Sequence, residues 1–492
     1  MSSGERAGGV PLCVDLDGTL VATDTLWESL RLVLSRRPWK LPGALWALLK
    51  GKAAFKRSIA GEELLEPGAL PFRTEVLALI EHARKEGRPV LLVTAADQRV
   101  AETVASFIGL FDEVMATAQG RNLKAGAKRD ALVERFGEGG YDYVGDSAAD
   151  LPVLTGARVG YLTSAASRVA SKARVAGGGP VRLLCARGSR LGALVSELRV
   201  HQWSKNALLL APALMVHHLP EGAKLLSGVF AFFSFSLCAS AGYVLNDLVD
   251  LDADRHHRSK RLRPFASGQL PLIWGPPLLV VLVAGSVLLA LWFTPPAFIG
   301  MLGIYFLLSL SYSYYFKRRA VLDVLVLAGL YTLRLLAGGV ATSIEISAWL
   351  LAFSTFLFFS LAMAKRYVEL LALEQADGEK IDRRGYVVKD LDMVASMGPA
   401  AGYIAVLVFA LYLNSDRVRL NYDQPYVLWL ISPVLLFWVT RIWFLARRGE
   451  LDDDPVKFAM TDPASWLCAV LILVIAAAAR YVPIPHIIDL VP

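Results

Sequence analysis

The chain has 492 residues, 55 % of them hydrophobic, and a mean hydropathy of +0.46, which excludes an ordinary soluble protein and leaves room for two or three domains. With so much apolar sequence, the net charge of +7 points to a membrane surface or an anionic substrate as partner, and nucleic acid is not expected. Four scattered cysteines (Cys13, Cys185, Cys238, Cys468) form no CxxC pair and imply neither a disulfide framework nor a zinc site.

Met1 to Val10 is short and polar and does not read as a signal peptide, so the N-terminal region is expected to stay in the cytosol. Val10 to Val14 is a short apolar run ending in acidic residues, the pattern of a buried strand. An insert at about 26–75 is helical in pattern. Its Trp39 and Trp46, among Arg36, Arg37, Lys40 and Lys50, fit either a helix with a solvated basic face or one lying on a membrane surface. A helix around Glu75 to Lys85 precedes a strand at Pro89 to Val93, and a helix around Arg129 to Phe136 precedes a strand at Tyr141 to Val144. Strands alternating with helices predict an α/β, doubly wound parallel sheet. Gly177-Gly178-Gly179-Pro180 reads as its end, giving a first domain at 1–180, a linker at 181–200 and a second domain at 201–492.

The second domain reads as all-α and polytopic. Nine apolar spans lie near 206–219, 227–245, 272–293, 296–315, 321–340, 347–364, 395–413, 425–445 and 464–481, the first of them short and polar-edged. With a cytosolic N-terminus, the loops at 246–270, 316–320, 365–394 and 446–463 face the cytosol. They carry seventeen Lys and Arg residues against three (Lys224, Arg417, Arg419) in the opposite loops. This positive-inside bias predicts a multi-pass inner or plasma membrane protein with its C-terminus outside.

Two acidic sites stand out. Asp15-Leu16-Asp17-Gly18-Thr19 follows the first strand, and Gly145-Asp146-Ser147-Ala148-Ala149-Asp150 follows a later one. Carboxylates crowded at strand ends repel unless a cation sits between them, so magnesium is expected. Thr94 ends the strand between them, and Lys128 opens a helical run, with Lys124 as the competing lysine. In the second domain, Asn246-Asp247-Leu248-Val249-Asp250-Leu251-Asp252-Ala253-Asp254 places Asp247, Asp250 and Asp254 at i, i+3 and i+7 on one helix face. Three carboxylates on one stripe at a membrane boundary call for cations, and magnesium bridging a diphosphate satisfies them. Arg255, Lys260, Arg261 and Arg263 follow and could grip phosphate oxygens.

The four N-terminal stretches resemble, in order, the motifs of the haloacid-dehalogenase superfamily of phosphatases over about residues 10–175. The resemblance implies Asp15 as nucleophile, Asp17 as acid and base, Thr94 and Lys128 as holders of the phosphoryl oxygens, and Asp15, Asp17, Asp146 and Asp150 around magnesium, under a helical cap. The stripe with its apolar spans resembles the UbiA superfamily of intramembrane transferases over about residues 195–490, which implies Asp247, Asp250 and Asp254 as ligands of a magnesium-diphosphate. His201-Gln202-Trp203-Ser204-Lys205-Asn206, Tyr312-Ser313, Lys317, Asp323, Arg334 and Lys365-Arg366-Tyr367-Val368-Glu369 further resemble the decaprenylphosphoryl-5-phosphoribose synthases. That branch moves phosphoribose from phosphoribosyl pyrophosphate to a polyprenyl phosphate. The prenyl-diphosphate branch has a second acidic motif where this chain has Lys365 and Arg366. A cationic pair there suits a monophosphate.

The resemblance thus implies Lys205, Asn206, Asn246, Tyr312, Lys317, Arg334, Lys365, Arg366 and Glu369 as substrate contacts. The economical reading of the fusion is phosphoribosyl transfer followed by removal of the 5-phosphate. A prenyl transfer to an aromatic or polyol acceptor, and a transporter or scaffold with a cation-binding motif, stay open as alternatives, as does assembly into a homo-oligomer.

Overall fold

The computed structural model describes residues 9–40, 42–43, 46–47, 52–59, 65–117, 123, 125–163, 172, 179–184, 189–214, 222–257, 259–375, 385–415, 418, 422, 424–451 and 455–482. The chain divides into two compact units. One comprises Met1–Arg199 together with Tyr243–Val280, and the other Val200–Gly242 together with Val281–Pro492.

The first unit is built on a six-stranded parallel sheet. Its strands are β1 (Leu12–Val14), β2 (Val90–Asp97), β3 (Glu113–Thr117), β4 (Asp142–Gly145), β5 (Val159–Leu162) and β6 (Val181–Leu183), in the spatial order β3-β2-β1-β4-β5-β6. The order reverses at β1, which opens a crevice at the strand ends between β1 and β4. Both faces of the sheet are covered, so the strands are apolar without alternation. Leu12, Val14 and Leu92 face Val76, Ile80 and Val104 on one side, while Cys13, Leu91 and Val93 face Leu132, Tyr141 and Val153 on the other.

Helices α1 (Thr25–Arg36) and α2 (Lys52–Ile59) follow β1, and α1 is capped by the Asp24 side chain accepting from Leu26 N. Next come α3 (Thr74–Lys85), α4 (Gln98–Ile108), α5 (Gly126–Phe136) and α6 (Leu151–Thr155). Residues 181–200, expected as a linker, hold β6, paired in register with β5, and α7 (Arg190–Leu198). Gly179 and Pro180 lead directly into β6, and Gly-Pro clusters mark turns as well as boundaries.

The second unit is helical. Among the described residues, eight helices are long and apolar enough to cross a bilayer: Gly222–Val249, Leu272–Phe293, Ala297–Arg318, Leu322–Thr342, Ala348–Gln375, Val388–Leu413, Pro425–Arg447 and Pro463–Tyr481. The expected first span does not form one long helix among the described residues. Val200–Leu210 is a 3-10 helix, continued by the one-turn α8 (Ala211–Leu214). Its chain is held by close packing: a Cβ on Gly338 would lie 2.1 Å from Leu209 O.

Small residues set the other helix contacts, as expected where lipid offers no hydrophobic drive for helices to associate. A Cβ on Gly398 would lie 2.0 Å from the Trp443 ring, and Ser360 donates to Gly398 O at 2.7 Å while accepting from Trp443 Nε1 at 3.0 Å. Replacing Gly398 with Ala therefore overpacks this contact. A loss of about 1–3 kcal/mol is expected, read as a shift in detergent-solubilised denaturation followed by tryptophan fluorescence.

Candidate active sites

The Asp15 pocket follows from strand register. Val14 pairs with Val144, so the residues after β1 and β4 leave the sheet side by side. Asp15, Asp146 and Asp150 each present a carboxylate oxygen, and the three oxygens lie within 4.8 Å of one another. Two glycines make room. Gly18 has φ +73° and a Cβ there would lie 2.4 Å from Asp146 Oδ2, while a Cβ on Gly145 would lie 2.9 Å from the Asp150 carboxyl carbon. The Asp150 carboxylate is fixed in turn by Ser147 N at 3.2 Å and Ser147 Oγ at 3.1 Å.

Lys128, near the start of α5, places Nζ 2.9 Å from Asp15 Oδ1 and 3.7 Å from Asp150 Oδ1, and donates to Tyr143 Oη at 2.9 Å. Tyr143 passes its own hydrogen to Asp150 at 2.9 Å. Thr94 is buried at the upper part of β2, accepting from Ala96 N. The competing Lys124 lies outside the described residues. Asp17, expected among the metal ligands, is not part of the carboxylate trio; its Oδ1 accepts from Thr25 N at 2.8 Å, at the head of α1.

Burial pushes both the Asp15 and Asp17 carboxyls up to about 7, against the pull of Lys128 on Asp15 and of the Thr25 amide on Asp17. Burial works against the Lys128 ammonium, but Asp15 and Asp150 outweigh it and raise its pKa. An all-oxygen trio held this tightly fits a hard divalent cation such as magnesium.

The Asp247 stripe also belongs to the first unit. Helix α9 (Gly222–Val249) ends just before Asp250, and α10 (Leu251–His256) resumes after it. Asp250 N still bonds Asn246 O and Asp254 N bonds Asp250 O, so the helical spacing runs through the break. The three carboxylates do not gather into a close trio. Arg263 Nη1 bridges Asp247 at 2.9 Å and Asp254 at 2.5 Å, and Arg199 Nη2 holds both oxygens of Asp247 at 2.6 and 2.5 Å. Arg199 stands at the end of α7 with φ +50° and stacks 4.9 Å above the Tyr243 ring.

Arg255, expected to grip phosphate, instead reaches Glu28 of α1 through both guanidinium nitrogens, at 2.5 and 3.2 Å. Arg31, one turn on, holds Asp252 at 2.5 Å. Glu28 is 1 % exposed and needs that partner. Beside this clamp a Cβ on Gly268, whose φ is +73°, would lie 2.5 Å from Ala22 O. Lys260 and Arg261 are exposed, and Asn246 is half-buried.

In the second unit, Arg334 spends its guanidinium on Asn206 Oδ1 (2.9 Å), Leu330 O (2.6 Å) and Tyr305 Oη (3.2 Å). Asn206 completes that link by donating to Ser236 Oγ at 3.0 Å. Arg366 is wholly buried, bonded to Asp323 at 2.6 Å, to Glu369, and to Tyr312 Oη at 3.5 Å. Both arginines were expected as phosphate anchors. They are instead engaged in internal networks, because a buried guanidinium must satisfy every donor inside the helix bundle. Lys205, Lys317 and Lys365 are half-buried.

Sequence reasoning missed Glu28, Arg31, Glu197 and Arg199. Each is an ordinary charged residue on a helix, and only the fold brings it to an acidic site.

The family model of the UbiA prenyltransferase family matches residues 207–468, and that of the haloacid dehalogenase-like hydrolases matches residues 12–155. An uncharacterized protein, y4nM, of Sinorhizobium fredii is 38 % identical over 464 residues, covering 94 % of this chain and 90 % of its own. Nodulation protein NoeC of Azorhizobium caulinodans is 36 % identical over 272 residues, 55 % of this chain and 87 % of its own. The decaprenyl-phosphate phosphoribosyltransferase of Corynebacterium glutamicum is 34 % identical over 224 residues, 44 % of this chain and 66 % of its own. Two acidic sites, one at the switch point of a parallel sheet and one at the end of an apolar helix, agree with these matches: the chain belongs to the UbiA prenyltransferase family and carries a haloacid dehalogenase-like hydrolase domain ahead of its membrane helices.

Proposed function

We propose that the protein is a bifunctional, magnesium-dependent membrane enzyme. It transfers 5-phosphoribose from phosphoribosyl pyrophosphate to a polyprenyl phosphate, then removes the 5-phosphate to give polyprenyl-phosphoryl-ribose. The observation that carries this reading is that the Asp15 pocket and the Asp247 stripe lie in one compact unit, tied by the Glu28–Arg255 and Arg31–Asp252 ion pairs. Similarity to a decaprenyl-phosphate phosphoribosyltransferase supports the choice of donor and acceptor.

In the transfer step, Asp247, Asp250 and Asp254 face the pyrophosphate leaving group. These residues would hold magnesium, which would supply positive charge toward the departing pyrophosphate. The lipid phosphate oxygen attacks C1, and being ionised at neutral pH it needs no general base. Lys317 and Lys365 are candidates to anchor phosphates, while Arg334 and Arg366 are built into internal networks. In the second step, Asp15 attacks the 5-phosphate and forms an aspartyl-phosphate, while Asp17 gives its proton to the departing sugar oxygen and later activates water. Thr94 and Lys128 hold the phosphoryl oxygens. Burial keeps the Asp17 proton available up to about pH 7, as a general acid requires.

The cytosolic side is the place we assign to both sites, on the Lys and Arg bias of the loops. Nine crossings are also part of this reading. Helix α9 has 28 residues, about 42 Å of rise, and Arg199 is bonded to Asp247 near its end. The first crossing would begin in the 3-10 helix Val200–Leu210, whose 11 residues rise about 22 Å.

Incubating the purified protein with phosphoribosyl pyrophosphate, polyprenyl phosphate and magnesium should yield a lipid phosphate heavier by one pentose. Asp15→Asn should accumulate the same lipid bearing an extra phosphate. Asp247→Asn should abolish transfer yet leave p-nitrophenyl phosphate hydrolysis within about twofold. A prenyl chain on a small acceptor would overturn the reading in favour of prenyl transfer.

The clamp gives a second expectation. Glu28→Arg leaves Arg255 without its partner, at a cost of about 3–5 kcal/mol, and should raise the share of lipid product that escapes with its 5-phosphate. The exchange Glu28→Arg with Arg255→Glu should restore the wild-type share.

A third concerns pH. A divalent cation must displace the proton from the Asp15 carboxyl, which titrates near 7, so Mn2+ affinity at the Asp15 pocket should climb from about pH 5.5 to about pH 8. Asp146→Asn should remove this site in the same electron paramagnetic resonance titration.

A further inference from the structure

We infer that Glu197 is a fourth carboxyl of the Asp247 site and takes a divalent cation together with Asp247. Glu197 stands in the last turn of α7 and is 1 % exposed. Neither of its oxygens has a hydrogen-bond partner. Asp247 is its acidic neighbour: Arg199, two residues on from Glu197, holds both Asp247 oxygens, and the two carboxyls repel. A buried acid left without a donor costs folding free energy and does nothing for packing that a glutamine or leucine would not do better.

The neighbouring arginines attract its charge but donate no hydrogen bond to it. Arg199 and Arg263 direct their hydrogen bonds to Asp247 and Asp254. Glu197 therefore offers two free oxygens at the acidic end of α9, in a set of oxygen donors that suits a hard cation and no soft one. The left-handed backbone of Arg199 is the local cost of the arrangement: it turns the chain so that α7 brings both Glu197 and Arg199 onto the stripe.

The inference rests on the reading of the Asp247 stripe as an ion site, and is independent of which group the enzyme transfers. The test is a Mn2+ titration by electron paramagnetic resonance on the full-length protein in detergent, in an Asp146→Asn background that removes the ion of the other pocket. That background should retain bound Mn2+. Adding Glu197→Gln should weaken this ion by about tenfold or more, and Glu197→Asp, which keeps the charge on a shorter arm, should weaken it less. Hydrolysis of p-nitrophenyl phosphate by the Glu197→Gln and Glu197→Asp single variants reports that the unit is folded. Mn2+ binding in both Glu197 variants equal to the background would overturn the role of Glu197. Undiminished binding after Asp247→Asn would overturn the ion site itself, a separate outcome from the first.

Discussion

Carboxylates held close together where water cannot screen them are the constraint that organises this molecule. Among the described residues, the buried acidic groups other than Glu197 each have a specific cationic or hydrogen-bonding partner brought to them. Lys128 reaches across to Asp15 and Asp150, Arg199 and Arg263 straddle the stripe at the end of α9, and Arg255 closes on Glu28. In a dry setting such pairing is a condition of burial more than a source of stability, since desolvation consumes much of the Coulomb gain. The positions of these partners therefore dictate where α1, α5 and α7 can sit.

The same constraint separates working cations from structural ones. Arg366 and Arg334 lie among membrane helices, where an unsatisfied guanidinium is costly, and each is saturated by acceptors from several helices. They stiffen the bundle around Asp323, Asn206 and Tyr305. Lys260 and Arg261 stand exposed in the loop after the stripe.

Helix α1 belongs to both acidic sites. Its first amide, from Thr25, donates to Asp17, and its next turn presents Glu28 and Arg31 to α10. A helix of 12 residues thus connects Asp17 of one pocket to the segment bearing the other acidic motif. Under the proposed function, this connection would fix geometry between two reactions that share an intermediate.

Much was legible in the residues alone. The strand-ending acid pairs and the order of Asp15, Thr94, Lys128 and Asp146 defined the parallel sheet and its pocket, because each such motif needs only local chain to present it. The apolar blocks defined the membrane helices for the same reason, and the i, i+3, i+7 spacing survived even a break at Asp250. What sequence could not decide was which charge meets which. Arg255 follows the stripe in sequence but pairs with Glu28, more than two hundred residues away, and Arg199 returns to Asp247 only because its backbone turns left-handed. Ion pairing in a buried setting depends on distance in space and on what else has been excluded from the site. Sequence determines which charges exist, and the tertiary structure alone decides which of them are partnered and which, like Glu197, are left for a ligand.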